Sequence, residues 1–220
     1  MLQKKFEKTG AGATSQNLMR MDRQIDNLNQ LVHNLLDVSR LEKGGLAFQY
    51  TNFDVNELVQ EVISTLQTTT NQHKIILQGK VDRPVWGDRF RIAQVLVNLF
   101  TNAIKYSPNA TKIIIRLAIK DTTALVEVED FGIGISKEHQ QDIFKRFYRV
   151  NDSPERTYPG LGIGLYISYE IIKKHGGTIT LYSKKGKGSR FTFTIPLELQ
   201  TKEKKGYNTK AKKNGELSIL

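Results

Sequence analysis

Apolar side chains recur at Leu18, Met21, Ile25, Leu28, Val32 and Leu35, in steps that alternate between three and four residues. That is the seam of a heptad-patterned helix. Leu31, Leu36, Val38 and Leu41 widen the stripe to that of a bundle helix, and Gly44-Gly45 ends it. A lone helix has nothing to cover such a stripe, so the pattern predicts a partner helix, either from residues 1–10 or from a second chain. Next, "DVNELVQEVISTL" predicts a helix with Asp54 as N-cap and Glu57 completing a capping box. "KIILQGK" and "PVWGD" read as short strands or connectors. Residues 89 to about 105 form a helix whose core face is Ile92, Leu96, Leu99 and Ala103, broken by "SPNATK". "KIIIRLAIK" and "ALVEVED", joined at Asp121 to Thr123, predict a hairpin. "SKEHQQDIFKRF" reads as a short helix, "YRVNDSPERTYPG" as a loop, and "IGLYISYEIIKKH" as a helix closed by Gly176-Gly177. "TITLYSK" and "SRFTFTIPL" around "KGKG" form a second hairpin. The sum is an α+β fold: a two-layer α/β sandwich with a mixed, mostly antiparallel sheet, preceded by a helix that needs a partner.

Polar residues break this pattern in three places. Asn98, Asn102 and Lys105 stand at i, i+4 and i+7 on one face of a helix that otherwise reads as core. In "ALVEVED", Ala124, Val126, Val128 and Asp130 share one strand face, with Glu127 and Glu129 on the other. Asp130 therefore points inward, which is costly without a donor. "DFGIGI" follows it, where the backbone can approach a ligand closely. "GLGIGL", Gly160 to Leu165, opens a helix after a loop, and free N–H groups there suit an anion. Each feature has a plainer reading on its own: a turn-capping aspartate, a satisfied amide pair, a glycine turn that matches neither the dinucleotide nor the Walker spacing. Together they are the pieces of a nucleotide site. The acid accepts from an adenine amino group, a helix N-terminus and Lys105 hold phosphates, and an Asn oxygen is a hard ligand for Mg²⁺.

Charge is the next constraint. The net charge is +11 over 220 residues, which raises nucleic acid as a partner. But "TKEKKGYNTKAKKNGELSIL" alone holds six Lys against two Glu and reads as a solvated, disordered tail, and the remaining charge is scattered with no aromatic-basic alternation. Nucleic acid is therefore not the expected partner. There is no Cys, which excludes disulfides and thiolate metal sites, and no run of 18 or more apolar residues. The first ten residues do not read as a signal peptide.

With these motifs in view, the chain resembles the catalytic half of a bacterial sensor histidine kinase, in the superfamily that also holds gyrase, the Hsp90 chaperones and mismatch-repair ATPases. "NLFTNAIKYS" resembles its asparagine box, "DFGIGI" and "GLGIGL" its two glycine boxes, "IFKRFYRV" the phenylalanine box before the ATP lid, and "GKGSRFTFTIP" the closing hairpin. The resemblance implies a left-handed βαβ ATP-binding sandwich over residues 47–200. It implies Asn98 on Mg²⁺, and Asn102, Lys105 and Tyr106 near phosphate and ribose. Asp130 would take the adenine. Gly132, Gly134, Gly160, Gly162, Gly164 and Leu165 would belong to the ATP cradle, residues 147–160 to the lid, with Arg149 a phosphate contact. Residues 1–46 would be a remnant of the helical dimerisation and phosphotransfer domain, and residues 201–220 a basic tail. The implied partners are a second copy, through residues 18–41, and a response-regulator receiver domain. The implied location is cytoplasmic, with a full-length kinase that can be membrane-anchored.

One part of the family pattern is missing. The acceptor helix should carry a His followed by Glu or Asp, and none of His33-Asn34, His73-Lys74, His139-Gln140 and His175-Gly176 does. The expectation is an excised or naturally shortened kinase that does not autophosphorylate. Three other readings stand beside it. A hydrolase of the gyrase and Hsp90 branch has a basic Glu where this chain has Asn98. A serine kinase of the anti-sigma type lacks the long helix. A non-catalytic module would bind ATP only as a switch.

Overall fold

The structure, a computed structural model, describes residues 31–41, 43, 45–150 and 161–197, with positions 21, 24, 25, 28 and 29 before them. The expectations for Leu18, residues 1–10, Gly44, Gly160, most of the lid and the basic tail lie outside the described residues. The first helix, α1, covers residues 31–41, and the described positions before it are also helical. Then follow β1 (Thr51–Phe53), α2 (Val55–Gln67), β2 (Lys74–Gly79), β3 (Val85–Gly87), α3 (Arg89–Lys105), β4 (Lys112–Lys120), β5 (Thr123–Glu129), α4 (Lys137–Gln140), α5 (Gly164–Lys174), β6 (Ile179–Lys184) and β7 (Gly188–Pro196).

The main sheet runs β2-β4-β5-β7-β6, with β2 and β4 parallel and every other pair antiparallel. The single parallel pair arises because β3 and α3 intervene between its strands; both expected hairpins are tight and antiparallel. β1 and β3 form a separate two-stranded ribbon. Strand alternation decides which face is buried. Ile115, Val128 and Phe191 pair across the sheet, as do Leu117, Val126 and Phe193, and all six are buried. α3 meets them with Ile92, Val95, Leu96, Leu99 and Phe100, and α5 with Ile167, Ile171 and Ile172. The other sheet face carries a charged cluster instead, in which Arg116 and Arg190 both pair with Glu127 and Glu129.

Two local expectations need correction. Asp54 caps α2, but its side chain accepts from the N–H of Asn56, and Glu57 does not close the box. Asn56 does that work instead: its amide donates to Asp54 Oδ1 and to the Val81 carbonyl, tying the helix start to the chain before β3. The helix expected over "SKEHQQDIFKRF" is one turn, Lys137–Gln140. Beyond it only Ile143 is fully buried, too little to hold a longer amphipathic helix.

Candidate functional site

α3 is held at both ends. The Asp88 carboxylate caps it by accepting from the N–H of Arg91 (3.0 Å), and its other oxygen accepts from the N–H of Gln49 (2.8 Å). The N–H of Asp88 donates to His175 Nε2 (2.9 Å), so the ring proton sits on Nδ1, which donates to the Ile171 carbonyl (2.7 Å). This buried histidine ties the end of α5 to the start of α3. Its burial lowers its pKa, against the opposing pull of the Ile171 hydrogen bond and the Asp88 charge.

The anchored face of α3 looks towards the first turn of α5. Asn98 Nδ2 donates to Ser168 Oγ (2.9 Å), and a Cβ at Gly164 would collide with Asn98 Oδ1. Gly164 is thus glycine because the Asn98 amide lies across the start of α5. One turn on, Asn102 is half-buried, and its amide makes no hydrogen bond with the described residues. At the helix end, Lys105 Nζ lies 4.8 Å from the centre of the Tyr106 ring. Burial and then the nearby charge of Arg149 lower the Lys105 pKa. Arg149 packs beside Gly162 (φ +68°), whose missing Cβ leaves room for the Tyr148 carbonyl and the Arg149 side chain. Two cations therefore lie near enough to feel each other beyond the end of α3, an arrangement that suits an anion.

Asp130 lies just past β5 and is 6% exposed. The N–H groups of Gly132 (2.9 Å) and Ser189 (3.3 Å) both donate to Oδ1, and Oδ2 has no donor among the described residues. Burial raises its pKa to about 6, against the two backbone donors and helped by the charge of Glu129. A Cβ on Gly132 would sit in the Tyr106 carbonyl, which accepts from the N–H of Ile133 (3.0 Å); this docks the first glycine loop on the end of α3. Gly134 (φ +65°) makes the matching close approach to the Lys184 carbonyl. Leu165 packs on the core.

The structure thus brings Asn98, Asn102, Lys105, Tyr106, Asp130, Gly132, Arg149, Gly162 and Gly164 to the junctions of α3 with the glycine loops and α5. Gly134 sits at the far end of its loop, against the β6–β7 turn. Sequence reasoning missed Ser168, four residues after Gly164 on the same helical face, and Ser189, the second residue of β7. Neither has a signal of its own, since each is defined by a partner far away in the chain. Among the described residues no group of three or more His, Cys, Asp or Glu could hold a metal.

A buried acid with one unspent oxygen, a helix N-terminus behind a glycine turn, and two neighbouring cations on an α+β sandwich define a nucleotide-binding catalytic domain. Residues 87–199 match the family described as histidine kinase-, DNA gyrase B- and HSP90-like ATPase, and the chain belongs to that family. It is similar to the sensor histidine kinase RppB of Synechocystis sp., 34% identical over 82% of this chain and 40% of RppB. It is 32% identical to the sensor histidine kinase WalK of Bacillus subtilis, over 81% of this chain and 30% of WalK. Among solved structures, the histidine kinase AdeS of Acinetobacter baumannii superposes with a TM-score of 0.67 at 30% identity, over 82% of this chain and 84% of that one. The chain is a histidine-kinase-type ATP-binding catalytic domain, homologous to those of two-component sensor kinases. It spans 40% and 30% of the lengths of RppB and WalK.

Proposed function

We propose that this chain binds Mg-ATP between α3, the two glycine loops and the start of α5, and that it hands the γ-phosphoryl to a histidine carried on a separate helix. The observation that carries the reading is Asp130: a buried carboxylate with Oδ1 fixed by two backbone N–H groups and Oδ2 unspent. Such an acceptor selects a base with an exocyclic amino group, as adenine has. Lys105 and Arg149 hold phosphate oxygens, and Asn102 offers both an amide donor and an amide acceptor to the same region. The Tyr106 ring lies beside Lys105 and borders the ribose.

The donor set fits Mg²⁺. Asn98 Nδ2 is engaged by Ser168, which fixes the amide plane and leaves Oδ1 as one hard oxygen ligand. Magnesium keeps several waters and shares phosphate oxygens, so a single protein oxygen suffices. When bound, the metal supplies neutralisation of phosphate charge. Everything else is positioning: the residues hold the phosphates in line for an incoming imidazole, and the acceptor's own acidic neighbour takes its proton. Asn98 cannot accept a proton from water at neutral pH, which disfavours hydrolysis in this site. A response-regulator receiver domain then takes the phosphoryl group from the histidine.

Calorimetry with Mg-ATP tests the adenine assignment. Asp130→Ala should weaken binding by about 1.5–3 kcal/mol, the cost of an unpaired amino group and a lost charged acceptor. Equal affinity in the variant, with the fold confirmed by circular dichroism, would remove Asp130 from the site.

A further inference from the structure

The loop between α2 and β2 turns two polar side chains inward. Thr68, Thr69, Asn71 and Gln72 are exposed, whereas Thr70 and His73 are buried. His73 reaches Ser107, 34 residues away and fully buried: Nε2 stands 2.8 Å from the Ser107 carbonyl and 3.2 Å from its hydroxyl. A carbonyl only accepts, so Nε2 carries the proton and donates. Nδ1 is then an acceptor, and the Thr70 hydroxyl donates to it at 3.1 Å. Thr70 Oγ1 also accepts from the N–H of His73 at 3.3 Å, so the tautomer and the direction of the ring are both set. Gln67 holds this loop without help from Ser107. Its amide donates to the Thr70 (3.1 Å) and His73 (2.9 Å) carbonyls and accepts from the N–H of Ile75 (3.0 Å).

What His73 holds is the end of the helix that carries the site. α3 stops at Lys105, Tyr106 is its C-cap, and Ser107 follows. The Ser107 carbonyl also accepts from the N–H of Ala110 at 3.0 Å, closing the turn after the helix. The same two residues carry the first glycine loop. The Tyr106 carbonyl accepts from the N–H of Ile133 at 3.0 Å, and a Cβ on Gly132 would collide with that carbonyl and with the Ser107 Cα. The N–H of Gly132 is one of the two donors that fix Asp130 Oδ1. An unbroken chain of contacts therefore runs from His73 through Ser107 and Tyr106 to Asp130.

We propose that His73 is a positioning residue for nucleotide binding. By donating to the Ser107 carbonyl it fixes the end of α3, and through Tyr106 it sets the height of the glycine loop that aims Asp130. Without the donor, the Ser107 turn shifts and the loop shifts with it. A displacement of about 1 Å is enough to spoil a directed contact. The consequence for the nucleotide rests on the function proposed above; the hold of His73 on the loop does not.

The test uses the full chain. His73→Leu removes the donor and keeps an apolar side chain in the core, whereas His73→Gln keeps a donor nitrogen of similar reach. Val62→Ala, on the buried face of α2, is a control that lowers stability away from the loop. Hydrogen exchange is first read without nucleotide, at the Ile133 amide and at the Val126 amide in the middle of β5. In His73→Leu the Ile133 rate should rise about tenfold or more beyond any rise at Val126. His73→Gln should hold that excess to within about three-fold, and Val62→Ala should show none. Thr70→Val, which removes only the hydroxyl that orients the ring, should give an excess of about three-fold and covers the case in which His73→Leu fails to fold. Calorimetry then compares ATP with inosine triphosphate, whose base has a carbonyl where adenine has its amino group. His73→Leu should shrink the preference for ATP by about five- to tenfold, and His73→Gln should restore it. Ile133 rates that merely track Val126 in the folded variants would overturn the proposal, as would His73→Gln behaving like His73→Leu. If the wild type itself shows no preference for ATP, the adenine reading fails while the exchange rates still decide whether His73 sets the loop.

Discussion

Asp130 shows how a single residue trades stability for recognition. Its pKa is raised to about 6 by burial, whereas the unfolded chain titrates near about 3.9. Between these values the folded state binds more protons than the unfolded one, so this group's contribution falls as pH rises from about 4 to about 6 and is flat above that. At pH 7.5 the ionised carboxylate then costs the nucleotide-free domain on the order of 3 kcal/mol. Asp130→Asn should raise the melting temperature at pH 7.5 and leave it nearly unchanged at pH 4.5, while Mg-ATP binding weakens. Thermal melts of both proteins across this range check it, and a stability difference independent of pH would contradict the assignment. The inward direction of Asp130 was legible because a strand alternates with period two, and Val126 and Val128 fixed the phase. Its donors were not: Ser189 is 59 residues away, and no local pattern announces a partner at that range. The same holds for Ser168 beneath Asn98.

At the scale of the element, the long helices and hairpins followed from periodicity because each had a wide apolar face to bury. α3 spans Arg89–Lys105 as its spacing predicts. α4 failed that rule, since its stretch had helical residues but little to pack against. The capping of α2 depended on Asn56 reaching the Val81 carbonyl, a tertiary contact that the capping-box pattern cannot contain. The glycine loops carry the element-scale prediction. Gly132→Ala places a methyl group in the Tyr106 carbonyl, so backbone must move and the loop lifts off α3. The expected loss is about 3 kcal/mol, with ATP binding impaired. Gly186→Ala meets nothing within 4 Å, and only its φ of +76° opposes the change. It should cost about 1 kcal/mol and spare binding. Denaturant melts compare the two, and an equal loss at both sites would show that close packing at Gly132 is not what matters.

For the whole molecule, the outstanding feature is the exposed apolar stripe of the first helix, where Met21, Ile25, Leu28, Val32, Leu35 and Leu36 all face solvent. Val32 and Leu35 are 50% and 52% exposed, which suits the seam of a homodimer. Val32→Glu with Leu35→Glu should convert a dimer to a monomer in light scattering without changing ATP affinity; a dimer that persists would place the interface elsewhere. The central claim concerns chemistry rather than assembly: the site holds ATP for transfer to a histidine and does not spend it on water. The most direct measurement gives the purified chain γ-labelled ATP and Mg²⁺, with and without a separate helical hairpin carrying a His-Glu pair, and follows label and free phosphate together. Label should appear on the hairpin histidine, with negligible label on the chain itself and negligible free phosphate. Rapid phosphate release without the hairpin, or strong labelling of the chain at His33 that disappears in His33→Gln, would contradict the account.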